Sequence, residues 1–119
     1  MAAPNIVEVT TITGKLAVAN VTTAAANLVA NPGSSGKVFK LNTILISNID
    51  GTNPVGVTTE IVRDSNIFAL SKDIVVNPSS SFSPFDKTLS IYLEEGDTLR
   101  VNANANNDAS AICSYEEIS

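Results

Sequence analysis

The stretch Ile91-Tyr92-Leu93-Glu94-Glu95-Gly96-Asp97-Thr98-Leu99-Arg100-Val101-Asn102-Ala103-Asn104 constrains the fold more than any other part of this chain. Leu99, Val101 and Ala103 occupy every second position, against Arg100, Asn102 and Asn104. That period of two is the mark of a strand with one apolar face. Ile91, Tyr92 and Leu93 form a second apolar run, and Glu-Gly-Asp between the two reads as a tight turn. Gly96 supplies the positive φ that other residues reach only at a steric cost. A strand with one apolar face must bury it against another layer. A chain built of such units therefore closes into packed sheets.

The rest of the sequence repeats the same habit. Residues 6–13 are β-branched and half alternating, which predicts a strand or extended arm interrupted at Gly14-Lys15. A strand follows over 16–21, with Leu16 and Val18 on one face. Residues 26–30 read as a strand in preference to a short helix, because the run is too short to stand as a helix. Asn31-Pro32-Gly33-Ser34-Ser35-Gly36 is a loop. Residues 38–48 form the strongest strand, and Ile44-Leu45-Ile46, apolar on both faces, predicts a buried middle strand. Asp50-Gly51 signals a turn into a strand over 55–63. Two short strands over 67–70 and 73–76 follow, then a Ser/Pro-rich loop over 77–85. Residues 89–93 predict a short strand or single turn, and strands at 98–105 and 109–118 complete the chain. Eight or nine short strands at this spacing predict an all-β, single-domain β-sandwich of jelly-roll-like form over residues 15–119. Residues 1–14 are its extended arm or edge strand.

Composition narrows the chemistry. The 119 residues suit one domain, and with 44% hydrophobic but only 5% aromatic residues the core must be Val, Ile, Leu and Ala. The net charge of −5 argues against nucleic acid and against an anionic membrane surface, both of which select clustered Lys and Arg. There is no histidine, hence no imidazole base and no Ser-His or Cys-His pair. One cysteine, Cys113, allows no intrachain disulfide. Its neighbours Ala111, Ile112 and Tyr115 make it a buried small hydrophobe. A transition-metal site of His and Cys is excluded by count. Pro32 to Lys37 is superficially like a phosphate loop but lacks its glycine spacing and its following helix. Glu94, Glu95 and Asp97 offer hard oxygen ligands for calcium, without the spacing of a calcium loop. The plainer reading is a polar turn whose carboxylates cap loop N–H groups or pair with Lys87 or Arg100. The chain therefore reads as a non-enzyme with no cofactor and no metal. Met1-Ala2-Ala3-Pro4-Asn5 lacks the basic and apolar regions of a signal peptide. No run reaches a membrane span of about 20 apolar residues. Both point to a chain made and folded in a cytoplasm.

Apolar residues outside the expected core are candidate interface positions. With Ala111, Cys113 and Tyr115 facing inward, Ile112 and Ile118 fall on the outward face. Phe82 and Phe85 sit in the Ser/Pro loop, where they mark an interface or fold back over the open end of the sandwich. Ile6, Val7 and Val9 lie in the arm, which is either this domain's edge strand or a strand added to a neighbour's sheet.

Three strings carry a resemblance. They are Lys37-Val38-Phe39-Lys40-Leu41-Asn42-Thr43-Ile44-Leu45-Ile46-Ser47-Asn48-Ile49-Asp50-Gly51-Thr52-Asn53, Ile91-Tyr92-Leu93-Glu94-Glu95-Gly96-Asp97, and Ser114-Tyr115-Glu116-Glu117-Ile118-Ser119. With Pro4-Asn5-Ile6-Val7 and Thr11-Ile12-Thr13-Gly14-Lys15, the chain resembles small virion structural proteins of marine tailed phages, the cyanophage type. Residues 77–85 depart from that family, which is more apolar and strand-like there. The resemblance implies a non-enzymatic β protein of the virion, present in many copies. Its first implication is a capsid decoration or cement protein, a homo-oligomer that binds the major capsid protein or other virion proteins of the assembled shell. Its second is a tail, neck or fibre component that touches a host receptor.

Overall fold

The computed structural model describes residues 10–84 and 91–119, and among these the regular structure is β throughout. Nine strands follow in chain order: β1 (Ile12–Val21), β2 (Ala26–Ala30), β3 (Val38–Asn48), β4 (Val55–Arg63), β5 (Asn66–Val76), β6 (Ser81–Phe82), β7 (Ile91–Leu93), β8 (Thr98–Ala103) and β9 (Ala109–Ile118). One sheet runs β1-β9-β3, with β6 and β7 both on the far edge of β3; the other runs β2-β8-β4-β5. All the pairings are antiparallel. First pairs with last (β1:β9), then β2:β8, β3:β7 and β4:β5. The chain is thus one long hairpin whose arms are rolled into two layers, which is the jelly-roll path. The all-β sandwich expected from the sequence is the fold observed.

Local differences from that expectation each have a cause. Gly14-Lys15 does not interrupt β1, because the ladder to β9 is unbroken from Ile12↔Ile118 to Val21↔Ala109. The expected pair of strands at 67–70 and 73–76 is one strand, β5. The intervening Ser71-Lys72-Asp73 is a bulged stretch: the register against β4 slips twice, and Asp73 takes φ +49°. The Ser/Pro loop contains the two-residue strand β6, paired with Ile46 and Ser47 of β3. β8 stops at Ala103 because Asn104 turns aside to clasp Gly56. Its side-chain Oδ1 accepts from Gly56 N at 3.0 Å and its own N–H donates to Gly56 O at 3.0 Å.

The core lies between the sheets. β8 contributes Leu99, Val101 and Ala103, all buried, as its alternation predicts. β3 contributes Phe39 and Leu41, then Ile44 and Ile46. The change of parity follows from a register shift against β9 between Leu41 and Thr43, which inserts one residue and resets which face each later side chain meets. That bulge corrects one expectation. β3 is central in its sheet, yet Leu45 is exposed on the outer face, so around Ile44-Leu45-Ile46 the strand is buried on one face only. Burying each leucine or isoleucine here stabilises the fold by about 1.5–3 kcal/mol. Tyr115 packs against this core, its ring 5.5 Å from that of Phe39.

Candidate interface surfaces

One end of the sandwich is a polar lock. Asn31 is buried and donates through Nδ2 to Lys37 O at 2.9 Å and Leu93 O at 3.0 Å, while Ser35 Oγ donates to its Oδ1 at 2.6 Å. Asp97 is also buried and accepts from Arg63 Nε at 2.7 Å, from Arg63 Nη2, and from Glu94 N at 2.9 Å. The Arg63 fork, more than any other contact, holds the Asp97 carboxyl below its ordinary range. Glu94 takes a second bond from Arg63 Nη2 at 2.7 Å, and Glu95 Oε2 accepts from Gly36 N at 3.0 Å. The turn's carboxylates therefore serve Arg63 and a loop N–H. Arg100 is engaged elsewhere, with Glu60 at 2.6 Å across β8 and β4, and Lys87 lies outside the described residues. Among the described residues no group of three His, Cys, Asp or Glu side chains gathers as metal ligands. The Gly33–Gly36 loop spends its own donors internally. Gly36 N goes to Glu95, Lys37 N to Ser35 Oγ, and the Lys37 ammonium to Glu117 at 3.1 Å.

Cys113 is fully buried between β1 and β3, and burial pushes its thiol up to about 12. It is a packing residue, as the sequence reading had it.

The outer face of the β1-β9-β3 sheet is different in kind. Val18, Ile112 and Leu45 stand in one cross-strand row, in direct register, and are 67%, 37% and 41% exposed. The next row is Leu16, Ser114 and Thr43, with Leu16 64% exposed. Charge enters only one row further on, at Gly14, Glu116 and Lys40. Strands lie about 4.8 Å apart, so the row is a contiguous apolar stripe rather than scattered side chains. The outer face of the second sheet is mixed, with exposed Ile67 and Val75 placed on it by their register with Val62 and Gly56 beside polar groups. It carries the Arg100–Glu60 pair and the bond of Asp73 N to Thr58 Oγ1 at 3.0 Å. Between the sheets at the locked end, Ile61, Arg63, Phe68, Ile91, Tyr92 and Asp97 line a groove of about 320 Å³, with both rings exposed.

The predicted interface residues separate on this frame. Ile112 faces outward and lies at the centre of the apolar row. Ile118 does not face solvent: it is buried, directly opposite Val38, which is buried too. Alternation puts both on the outer face, side by side at the end of the sheet and apart from the main core. Phe82 is half-buried and packs on the core next to Ile46. Ile6, Val7, Val9 and Phe85 lie outside the described residues. Val18 and Leu45 were missed. The alternation at Gly14, Leu16 and Val18 was a signal for the first, whereas Leu45 was hidden by the bulge that changes the phase of β3.

No family model and no curated protein matches the sequence. Several solved structures share the fold. A subunit of Bacillus endospore appendages, described as disulfide-linked pili, matches over 92% of this chain and 87% of its own at 17% identity and a TM-score of 0.53. The acid-stable capsid of Helicobacter pylori bacteriophage KHP30 matches over 93% of this chain and 90% of its own at 8% identity and the same TM-score, 0.53. A pentameric capsid protein from metagenomic phage sequences matches at 18% identity over 84% of this chain and 60% of its own, with a TM-score of 0.47. The two likenesses at a TM-score of 0.53 establish the shared sandwich.

Proposed function

We propose that this chain is a non-enzymatic structural subunit of a phage virion, a decoration or cement protein that binds the assembled shell after both are made in the host cytoplasm. The observation that carries the reading is the Val18–Ile112–Leu45 row, an apolar stripe open to solvent on a rigid sheet. A sheet face of this kind is suited to lie flat on another protein, here the major capsid protein or another virion protein. Two further observations support it. The same sandwich occurs in a phage capsid and in a spore appendage, both repeating assemblies. The side chains with chemical reach, Asp97, Glu94, Glu95 and Cys113, are engaged in the lock or buried in the core. A protein that binds only the assembled lattice stabilises that lattice by mass action.

The test is the copy number of this chain in purified particles relative to the major capsid protein. A ratio near one, or another large fixed fraction of the lattice, supports decoration. Rebinding to stripped shells should then fail for Ile112→Asp and Leu45→Asp. A count of about a dozen or fewer places the chain at a symmetry-unique vertex, neck or tail and refutes decoration. That second reading, a tail, neck or fibre component that attaches to the host, is favoured by one feature: a groove lined by Phe68 and Tyr92, both exposed, together with Arg63 and Asp97.

A further inference from the structure

β1 and β2 lie on the same flank of the sandwich, in contact with each other, and among the described residues each is the edge of its sheet. From residue 12 to residue 30 that flank carries one charged side chain, Lys15, and no proline. The whole chain holds 7 Lys and Arg and 12 Asp and Glu. Soluble proteins blunt exposed edges with charge, proline or bulges. The edge on the other flank, β5, has such devices: Lys72, Asp73 and two register slips. β1 has an unslipped ladder over ten residues, and the slip on this flank lies in β2, between Asn27 and Val29.

The hydrogen-bond phase of β1 is fixed at its start. Thr11 N donates to Ser119 O at 3.0 Å and Ser119 N to Thr11 O at 2.9 Å, so this is a hydrogen-bonded pair. Antiparallel pairs alternate. The odd residues of β1 therefore bond to β9. Ile12, Gly14, Leu16, Val18 and Asn20 turn their N–H and C=O groups to the open side. The same residues place their side chains on the apolar outer face.

We propose that this flank joins two copies of the chain, with β1 antiparallel to the partner's β1 about a two-fold axis normal to the sheets. A register centred on Leu16 sets Leu16 against the partner's Leu16 as a hydrogen-bonded pair. It sets Val18 against the partner's Gly14 and Lys15 against the partner's Ala17, so like charges do not meet. Each copy carries a net charge of −5, and this flank brings no acidic side chain to the contact. Beneath, β2 is exposed at Ala26, Asn27 and Ala30, two of them small enough for close approach. The nine residues from Ile12 to Asn20 pair over about 30 Å. With a molecule 19 Å across its thinnest dimension, the contact covers about 600 Å² per copy, near the roughly 800 Å² of a standard stable interface. The irregular β5 edge offers β1 no matching straight ladder, so the pairing is isologous and closes at two. It holds whether the chain sits on a shell or a tail.

The experiment is sedimentation equilibrium of the full chain at about 100 μM, with Leu16→Lys, Leu16→Glu and their equimolar mixture. Leu16 is exposed, so neither change touches the core, and circular dichroism checks that each variant keeps its β signature. The expected result is twice the chain mass for the unmodified protein, one chain mass for each variant alone, and recovery of the doubled mass in the mixture. Should a variant misfold, Leu16→Pro takes its place, because it deletes an N–H that faces the open edge and spares the ladder to β9. A monomeric unmodified chain, a ring or filament in its place, or a dimer indifferent to substitution at Leu16 overturns the proposal.

Discussion

Replacing Asp97 by alanine tests the physical account of the locked end most directly. The carboxylate accepts two bonds from Arg63 and one from the Glu94 N–H. A backbone bond of that kind contributes about 1 kcal/mol, and its loss leaves a donor in a poorly solvated turn. The Arg63 fork is charge-assisted, but its side chain is 48% exposed, so solvent screening limits its share to about 1 kcal/mol. Asp97→Ala should therefore cost about 2–3 kcal/mol at pH 7. With a urea slope of about 1–3 kcal/mol/M, the unfolding midpoint falls by about 0.7–3 M. Acid carries a second expectation. Arg63 holds the Asp97 carboxyl below its unfolded value, so its stabilisation is present above about pH 4 and is lost as pH falls through the folded-state value. The gap between the unmodified protein and Asp97→Ala should narrow as urea titrations move from pH 7 to pH 2. A double-mutant cycle with Arg63→Met should return a coupling of about 1 kcal/mol. A cost under about 0.5 kcal/mol at pH 7, or a gap that does not change with pH, would refute this account of the end.

Other sites test separate parts of the structure. Leu41→Ala, beside the β3 bulge and fully buried, should cost about 2–5 kcal/mol in urea unfolding, because the two rigid sheets cannot collapse onto the hole. Asn48→Ala should cost about 2 kcal/mol by the same assay: its Nδ2 serves Asn53 O and Val76 O, each at 2.9 Å, and its Oδ1 receives Asp50 N. Gly96→Ala should cost about 1 kcal/mol, since Gly96 sits at φ +88° with open space around it, so the loss is conformational rather than steric. Cys113 should resist alkylation at pH 8 in the native protein and react at once in urea, because burial keeps its thiol protonated.

What could be read from the sequence depended on whether local pattern was enough. β2, β3, β4 and β9 begin and end where alternation and turn residues place them, with Asn31, Gly36, Asp50, Pro54, Asp64 and Asp108 standing at or near most of those ends and favouring departure from the sheet. The polar lock was half legible. Asp97 and the Glu-Gly-Asp turn stand out, but their partner Arg63 arrives from a strand more than 30 residues away, and nothing local names it over Arg100. Ser71-Lys72-Asp73 has the composition of a turn and becomes a bulge because β4 beside it holds the chain extended. The parity of β3 is lost for a similar reason. A single inserted residue near Asn42 moves Leu45 to solvent and Ile44 to the core, while the string Ile44-Leu45-Ile46 is apolar throughout.

The candidate surface was obscured by the same step. Alternation on β9 identified Ile112, but a cross-strand row requires the registers of both neighbours, and these are fixed only when the sandwich closes. Val18 meets Ile112 through the β1 ladder, and Leu45 meets it through a β3 ladder that has already slipped by one residue. Had β3 kept its first phase, with Phe39 and Leu41 inward, Leu45 would point into the core and Ile44 and Ile46 outward. The bulge therefore does two things at once. It gives the core two isoleucines, and it completes an apolar row on the opposite face of the same sheet. Deleting Asn42 would remove the inserted residue and leave a regular ladder, with Leu41, Thr43 and Ile44 opposite Tyr115, Ser114 and Cys113 as they are now. Ile44 and Ile46 would stay inward and Leu45 outward, so it is the absorption of this one extra residue at the bulge that lets the strand serve both the core and the stripe.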